Sequence, residues 1–505
     1  MQRISEIEIN EKKSRYWWVS ILLGIVVATA LIFSAMQGEK WLVASILAIT
    51  GILACFIIQK KLRPFLLFLI VFIVPLRIDF YLLYKPTDFV QSSGLVGLPV
   101  TLFDVVLIIL TLYLGLQVLR GEHQFRFYPS ISIPVLVYLV LSGISAFRSA
   151  DLSLSFSVFI LMIRSYVAFL FFANIIKTRA DLSVVVVALV CGVMLQSFVG
   201  GLQYVSGGSF LKGVFGVPET AFRTQMQGTF ALSRVGGTIG HPNALAKYLC
   251  FCIPVFIAYT FSMSNSTLRK LAGLATAVGG MTLLLTLSRG SWVALGVAVC
   301  FLFYEIFKCK FASRAKSIVT VIVCVAVFAG ITLAVFKDVR TRLFEDDYGA
   351  AQARLPMALI AANIIRDYPM TGVGLNNYTR VMHAHDNTRE WQTYHFPHPV
   401  HNSYLLIAAE SGIPALIAFF WLIGAAAAKA RPALKLCNSP VALLQIGLTG
   451  GLITWLISAM FDRDFAGNNI MLWLTIALIA ACQRIIVYEN EGVYPNETKG
   501  NSHWT

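Results

Sequence analysis

Residues 155–176 read SFSVFILMIRSYVAFLFFANII, twenty-two residues whose one charge is Arg164. Crossing about 30 Å of hydrocarbon takes roughly 20 apolar residues in a helix, so this stretch is long enough to span. Blocks like it recur along the whole chain. Of 505 residues, 57% are hydrophobic and 13% charged, with a mean hydropathy of +0.74; a soluble domain carries about 25% charge. The bilayer is therefore the solvent for which this sequence is written.

Fourteen candidate spans follow: 16–35, 41–58, 64–76, 102–119, 131–147, 155–176, 183–204, 243–263, 271–287, 290–307, 317–336, 412–429, 441–460 and 470–487. The fold class is all-α, a polytopic transmembrane helical bundle of about 12–14 spans, with a long extracytoplasmic loop containing short helices. The run 64–76 is the weakest, being short and bracketed by Pro64 and Pro75. The run 16–35 exceeds a signal-peptide core and reads as an uncleaved first span.

Lys and Arg cluster in alternate short connections, among them Lys60, Lys61, Arg63; Lys308, Lys310, Arg314, Lys316; and Lys429, Arg431, Lys435. The intervening ones carry single charges such as Lys40, Arg148 and Arg289. By the positive-inside rule both termini are cytoplasmic and the long connections lie outside. The implied order is N-terminal transmembrane helices (1–204), an extracytoplasmic loop (205–242), central helices (243–336), a long extracytoplasmic loop (337–411), C-terminal helices (412–487) and a cytoplasmic tail (488–505). The net charge of +15 is spread over these connections, which sets topology and argues against a nucleic-acid partner. None of the nine cysteines lies in the long loops, which argues against a disulfide framework or a cysteine zinc site.

Four constellations have chemical content. Arg234-Val-Gly-Gly-Thr-Ile-Gly-His241-Pro-Asn243 closes the first long loop directly before a span. Glycines allow close backbone approach, and a helix N-terminus with an arginine fork suits phosphate; the plainer reading is a Gly-rich connection with a solvated arginine. Thr286-Leu-Ser-Arg289-Gly-Ser-Trp292 is a tight hairpin tip, where Arg289 either snorkels to headgroups or forms an anion site. Arg164 lies midway through its span, where a charge costs about 2.5–3.5 kcal/mol on insertion scales and demands a polar partner or a function.

The fourth lies in the 337–411 loop. An amphipathic helix over 350–366 is expected to present Leu355, Ala358, Leu359, Ala362 and Ile365 on one stripe. Asn376, Asn377, Tyr378, Trp391 and Tyr394 follow, amides and aromatics that suit sugar rings or a membrane-interface belt. Next comes His398-Pro-Val-His401-Asn-Ser-Tyr, ending in Glu410-Ser-Gly412. Asn402 or Ser403 caps a short helix, placing His401 at its N-terminus, where the dipole favours the neutral imidazole that a general base needs. Glu410, nine residues on, is not an obvious partner for His401. Five of the eight histidines (His383, His385, His395, His398, His401) share this loop; a metal site is the competing reading, although the spacings fit no closed zinc pattern.

Together, Arg234…Gly-Thr-x-x-His-Pro-Asn243, Thr286…Ser-Arg289, Tyr368-Pro-x-x-Gly-x-Gly374 and His401-Asn-Ser-Tyr…Glu410-Ser-Gly412 resemble the O-antigen ligase and polysaccharide polymerase family, mainly over residues 230–430. The resemblance implies a multi-pass glycosyltransferase of the bacterial inner membrane with an extracytoplasmic active face. Its partners would be membrane lipids, a polyprenyl-pyrophosphate-linked glycan as donor, and a glycan or lipid A core as acceptor. It further implies inverting transfer with no metal or other cofactor. Arg234 and Arg289 would grip the donor pyrophosphate, Arg164 would add charge deeper along the lipid path, and His401 would activate the acceptor hydroxyl; His241, Asn243, Asn402 and Glu410 would support them. The competing readings are a transporter or flippase of lipid-linked oligosaccharide, or a non-catalytic part of an export complex.

Overall fold

The computed structural model describes residues 62–76, 79–82, 95, 97–207, 222–227, 230–262, 266–310, 354–388, 393, 397–435, 439–463 and 469–491. The expected spans 16–35, 41–58 and 317–336 lie outside the described residues. The chain divides into residues 1–67 and 68–505. Of the first unit, the described part is the opening of helix α1 (Leu62–Phe72); the second contains everything below.

Among the described residues ten helices are long and apolar enough to cross a membrane. They are α2 (Leu102–Leu119), α3 (Pro129–Phe147), α4 (Leu152–Ile175), α5 (Arg179–Val205), α6 (Pro242–Thr260), α7 (Ser266–Leu285), α8 (Arg289–Lys310), and later α12 (Ile413–Ala430), α13 (Pro440–Ser458) and α14 (Ile470–Glu491). Each coincides with an expected span. The remaining described one, 64–76, contains α1, whose 11 described residues pass into a turn at residues 73–75. Two antiparallel hairpins join the helical architecture: β1 (Asp79–Leu82) with β2 (Leu98–Thr101), and β3 (Phe222–Gln227) with β4 (Phe230–Val235).

Helix starts follow local chemistry. Thr101 and Asp104 form a capping box on α2, as do Thr178 and Asp181 on α5, and Asp151 caps α4 through the Leu154 N–H. These side chains satisfy donors that lipid cannot. Helix α13 packs against α6, α8 and α14, and α14 against α4. At Gly447 the approach of α13 to α6 is so close that a Cβ would sit 2.9 Å from the Pro254 carbonyl oxygen, the small-residue packing on which helix association in lipid depends.

Residues 354–411 fold into α9 (Arg354–Asp367), α10 (Tyr378–Val381), a 3₁₀ turn (Met382–His385) and α11 (Ser403–Ser411) around their own small core. That core takes Met357, Ile360, Ala361 and Ile364 from α9, together with Val373, Tyr378, Val400 and Leu406. Of the expected apolar stripe, Leu355, Leu359 and Ala362 point outwards, and the buried residues of α9 lie on its other side. Helix α9 is apolar on both faces, so the sequence pattern alone left the inward face ambiguous.

Candidate active site

The segment after β4 is held from the membrane side. Gln203 on α5 donates to the Gly237 carbonyl (3.1 Å) and accepts from its N–H (3.0 Å), and Gln196 accepts the Thr238 N–H (2.9 Å). A Cβ at Gly237 would lie 2.3 Å from Gln196 Oε1. This glycine therefore makes room for a glutamine clamp. His241 is the N-cap of α6, its Nδ1 accepting the Asn243 N–H at 3.1 Å, which leaves the ring proton of a neutral His241 on Nε2.

Arg234, at the end of β4, is placed by two acceptors. Its Nε donates to the Thr286 carbonyl (2.9 Å) and its Nη2 to Asn243 Oδ1 (2.6 Å). The first of these belongs to the α7–α8 hairpin, where Leu287 is buried with φ of +51° and Arg289 is the first residue of α8. Trp292 Nε1 donates back to the Leu283 carbonyl (3.2 Å), closing the tip. Arg234 is thus fastened three residues before Arg289, bringing two arginines distant in sequence to one turn.

The same hairpin meets the turn after α13. A Cβ on Gly290 would lie 3.0 Å from Phe461 Cβ, and the Arg354 guanidinium sits 6.0 Å from the Phe461 ring centre. This turn also holds the histidine segment. Ser403 N–H donates to the Ala459 carbonyl (2.8 Å), Ser403 Oγ to the Asp462 carbonyl (3.0 Å), and Asn402 Nδ2 to the Met460 carbonyl (3.3 Å). Asn402 Oδ1 caps α11 by accepting from Tyr404 and Leu405 N–H, both at 3.0 Å. His401 consequently stands just ahead of the cap, as the sequence predicts.

Its carboxylate partner is Asp462. His401 Nδ1 lies 3.5 Å from Asp462 Oδ1, and Lys247 Nζ lies 3.0 Å from Asp462 Oδ2. Burial raises the Asp462 carboxyl, but Lys247 and His401 outweigh it and hold the group well below the usual carboxylate range. Sequence reasoning missed both Lys247 and Asp462. The available signals were a lysine one turn into the apolar run 243–263 and the charge-dense Asp462-Arg463-Asp464 between two spans, since ionisable groups at such depth are functional by default.

Glu410 does not serve His401. It is 3% exposed, and its Oε1 accepts the Tyr378 N–H at 3.3 Å. Burial pushes its carboxyl up to about 8, against the lowering effect of the Asn376 and Tyr378 backbone donors. Asn376, Asn377 and Tyr378, whose types suit sugar rings or a membrane-interface belt, are buried. Asn377 accepts the Asp151 N–H (2.9 Å) and donates to Ser155 Oγ (2.9 Å), and Arg380 pairs with Asp151 at 2.8 Å. Asn377 and Arg380 fasten the loop onto the start of α4. Trp391 and Tyr394 lie outside the described residues, as does His395. His383 meets Thr393 Oγ1 at 2.9 Å and His385 meets Asp367 at 3.3 Å; among the described residues no three His, Cys, Asp or Glu side chains gather as metal ligands would.

Arg164 is paired within the bundle, its Nη1 3.0 Å from Asp104 Oδ1, whose carboxylate also caps α2. It lines a cavity of ≈ 410 Å³ between apolar walls that include Tyr81, Phe251 and Trp455. Among the described residues the charged side chains in that wall are Arg164 and Lys247. A mostly apolar cavity thus adjoins Lys247, which Asp462 links to His401.

Comparison with curated proteins gives no match. Residues 274–420, from within α7 into α12 and including Arg289, His401 and Glu410, match the family model Wzy_C, described as O-antigen ligase, and this match supports the O-antigen ligase family for the chain.

Proposed function

We propose that this multi-pass membrane protein is a glycosyltransferase that moves a polyprenyl-pyrophosphate-linked glycan onto an acceptor hydroxyl, at a site on the extracytoplasmic face of the bacterial inner membrane. The observation that carries this reading is the Asp462–His401 pair, with the arginine-bearing hairpin packed on the same turn. Asp462 orients Nδ1–H of His401, leaving Nε2 as the proton acceptor. The acceptor hydroxyl gives its proton to Nε2 while its oxygen attacks the anomeric carbon. The bond from that carbon to the pyrophosphate breaks, and the electron pair leaves with the phosphate. Attack opposite the leaving group inverts the configuration. Arg234 and Arg289 neutralise the developing charge without a metal, and Arg164 and Lys247 line the lipid side of the path. The supporting roles of His241 and Asn402 are to cap the two helices that carry these groups; Asn243 orients Arg234, and Glu410 holds the loop core.

The test is glycan transfer by purified protein in nanodiscs, given a polyprenyl-pyrophosphate oligosaccharide and either a second donor or a lipid A core acceptor. Transfer by the wild type and its loss in His401→Ala support the reading; addition of whole repeats identifies a polymerase, and single transfer to core a ligase. A folded wild type that transfers nothing yet carries donor across vesicles would sink the enzyme reading in favour of transport.

A further inference from the structure

Helix α9 has an outward apolar stripe that no protein segment described in the structure covers. At 100° per residue, Leu355, Leu359, Ala362 and Arg366 fall within about 60° of one another, and all four are exposed. Met357, Ile360, Ala361 and Ile364 lie on the opposite side and are buried in the loop core. Leu355 is 69% exposed, Leu359 51%, and Met370, just beyond the helix, 68%. The Arg354 and Arg366 guanidinium groups mark the two ends of α9, and Tyr368 follows, half-exposed.

The position of this face identifies what covers it. The Pro369 carbonyl accepts the Ile413 N–H at 2.8 Å, and a Cβ on Gly412 would lie 2.3 Å from the Met370 carbonyl oxygen. Pro369 is therefore fastened to the first residue of the membrane-spanning α12, and the adjoining Met370 backbone packs against Gly412 just before it. That helix turns Ile413, Ile417 (63% exposed) and Trp421 outwards, towards lipid. The apolar surface of the loop continues the lipid-facing surface of a span, at the depth where that span begins. An apolar face flanked by a charged helix end and a half-exposed tyrosine is the composition of a helix lying in the membrane plane.

We infer that α9 is an interfacial helix, with Leu355, Leu359 and Met370 seated in the headgroup–acyl boundary of the leaflet from which α12 descends, so that the phospholipid surface itself is the partner of this loop. The packed core of the loop then ties the height of the 398–404 segment to the bilayer. This inference is independent of the catalytic reading.

It is tested on the full chain in liposomes, in a Cys300→Ala background whose residual labelling is subtracted. An environment-sensitive fluorophore is placed on Leu359→Cys, Met370→Cys, Ile417→Cys and, as a solvent control in the 3₁₀ turn, Ala384→Cys. The expected result is a blue shift and quenching by doxyl-labelled phospholipid at 359 and 370, comparable with that at 417 and absent at 384. Aqueous, unquenched emission at 359 and 370 alongside quenched emission at 417 would overturn it. A blue shift without lipid quenching would also overturn it, since a second protein surface would then be the cover.

Discussion

Asp462 stands between His401 and Lys247, one carboxylate oxygen 3.5 Å from the imidazole Nδ1 and the other 3.0 Å from the ammonium. The three residues come from the loop segment before α11, the turn after α13 and the first turns of α6. Exchanging Asp462 for Asn keeps the shape but removes the charge that orients His401. We expect kcat to fall about a hundredfold with a smaller change in donor KM. The variant should also melt lower, because it leaves Lys247 partly buried without its counter-charge. Adding Lys247→Met should restore much of the stability but not kcat; recovery of turnover in the double variant would show that Asp462 acts on the fold and not through His401.

Arg234 uses both its Nε and Nη2 groups on fixed acceptors, and lysine reproduces neither geometry. Arg234→Lys and Arg289→Lys are each expected to lower kcat/KM by about ten- to a thousandfold, with membrane abundance unchanged. Asn243→Ala, which removes one of the acceptors of Arg234, should act in the same direction with a smaller effect. Near-wild-type turnover in either lysine variant would remove that arginine from the proposed site.

The Glu410 carboxyl titrates near 8 in the folded protein, above the usual carboxylate value, because it is buried. The folded state therefore holds a proton that the unfolded state has lost between roughly pH 4.5 and 8. Stability falls as pH rises through that window and levels off above it. Thermal unfolding of the reconstituted chain should show that slope, and Glu410→Gln, which cannot lose a proton, should reduce it. An unchanged slope in Glu410→Gln would assign the dependence to another group.

Gly447 permits the close contact of α13 with α6, and α6 carries Asn243 and Lys247. Gly447→Val places methyl groups where a Cβ alone would be 2.9 Å from the Pro254 oxygen. Overpacking of this kind costs about 1–3 kcal/mol, so a lowered melting temperature is expected, with lost activity from displaced Lys247. Measuring Asn243→Ala beside it separates the two effects, since that change leaves the helix contact intact.

What the sequence determined by itself is the medium and the outline. Apolar runs of span length admit one solvent and one class of backbone structure, because lipid offers no partner for an open N–H or C=O. Asn402 could be read as a cap because capping is a local hydrogen bond, decided within three residues. The pairing of Arg234 with the α7–α8 hairpin and of His401 with Asp462 belonged to the tertiary structure. Those contacts join residues dozens of positions apart, and no local rule carries such a distance. The same holds for Asn376, Asn377 and Glu410, whose types suit a sugar site or a buried brace equally well. It holds too for α9, apolar on both sides: its inward face was settled only when the loop core formed against one of them.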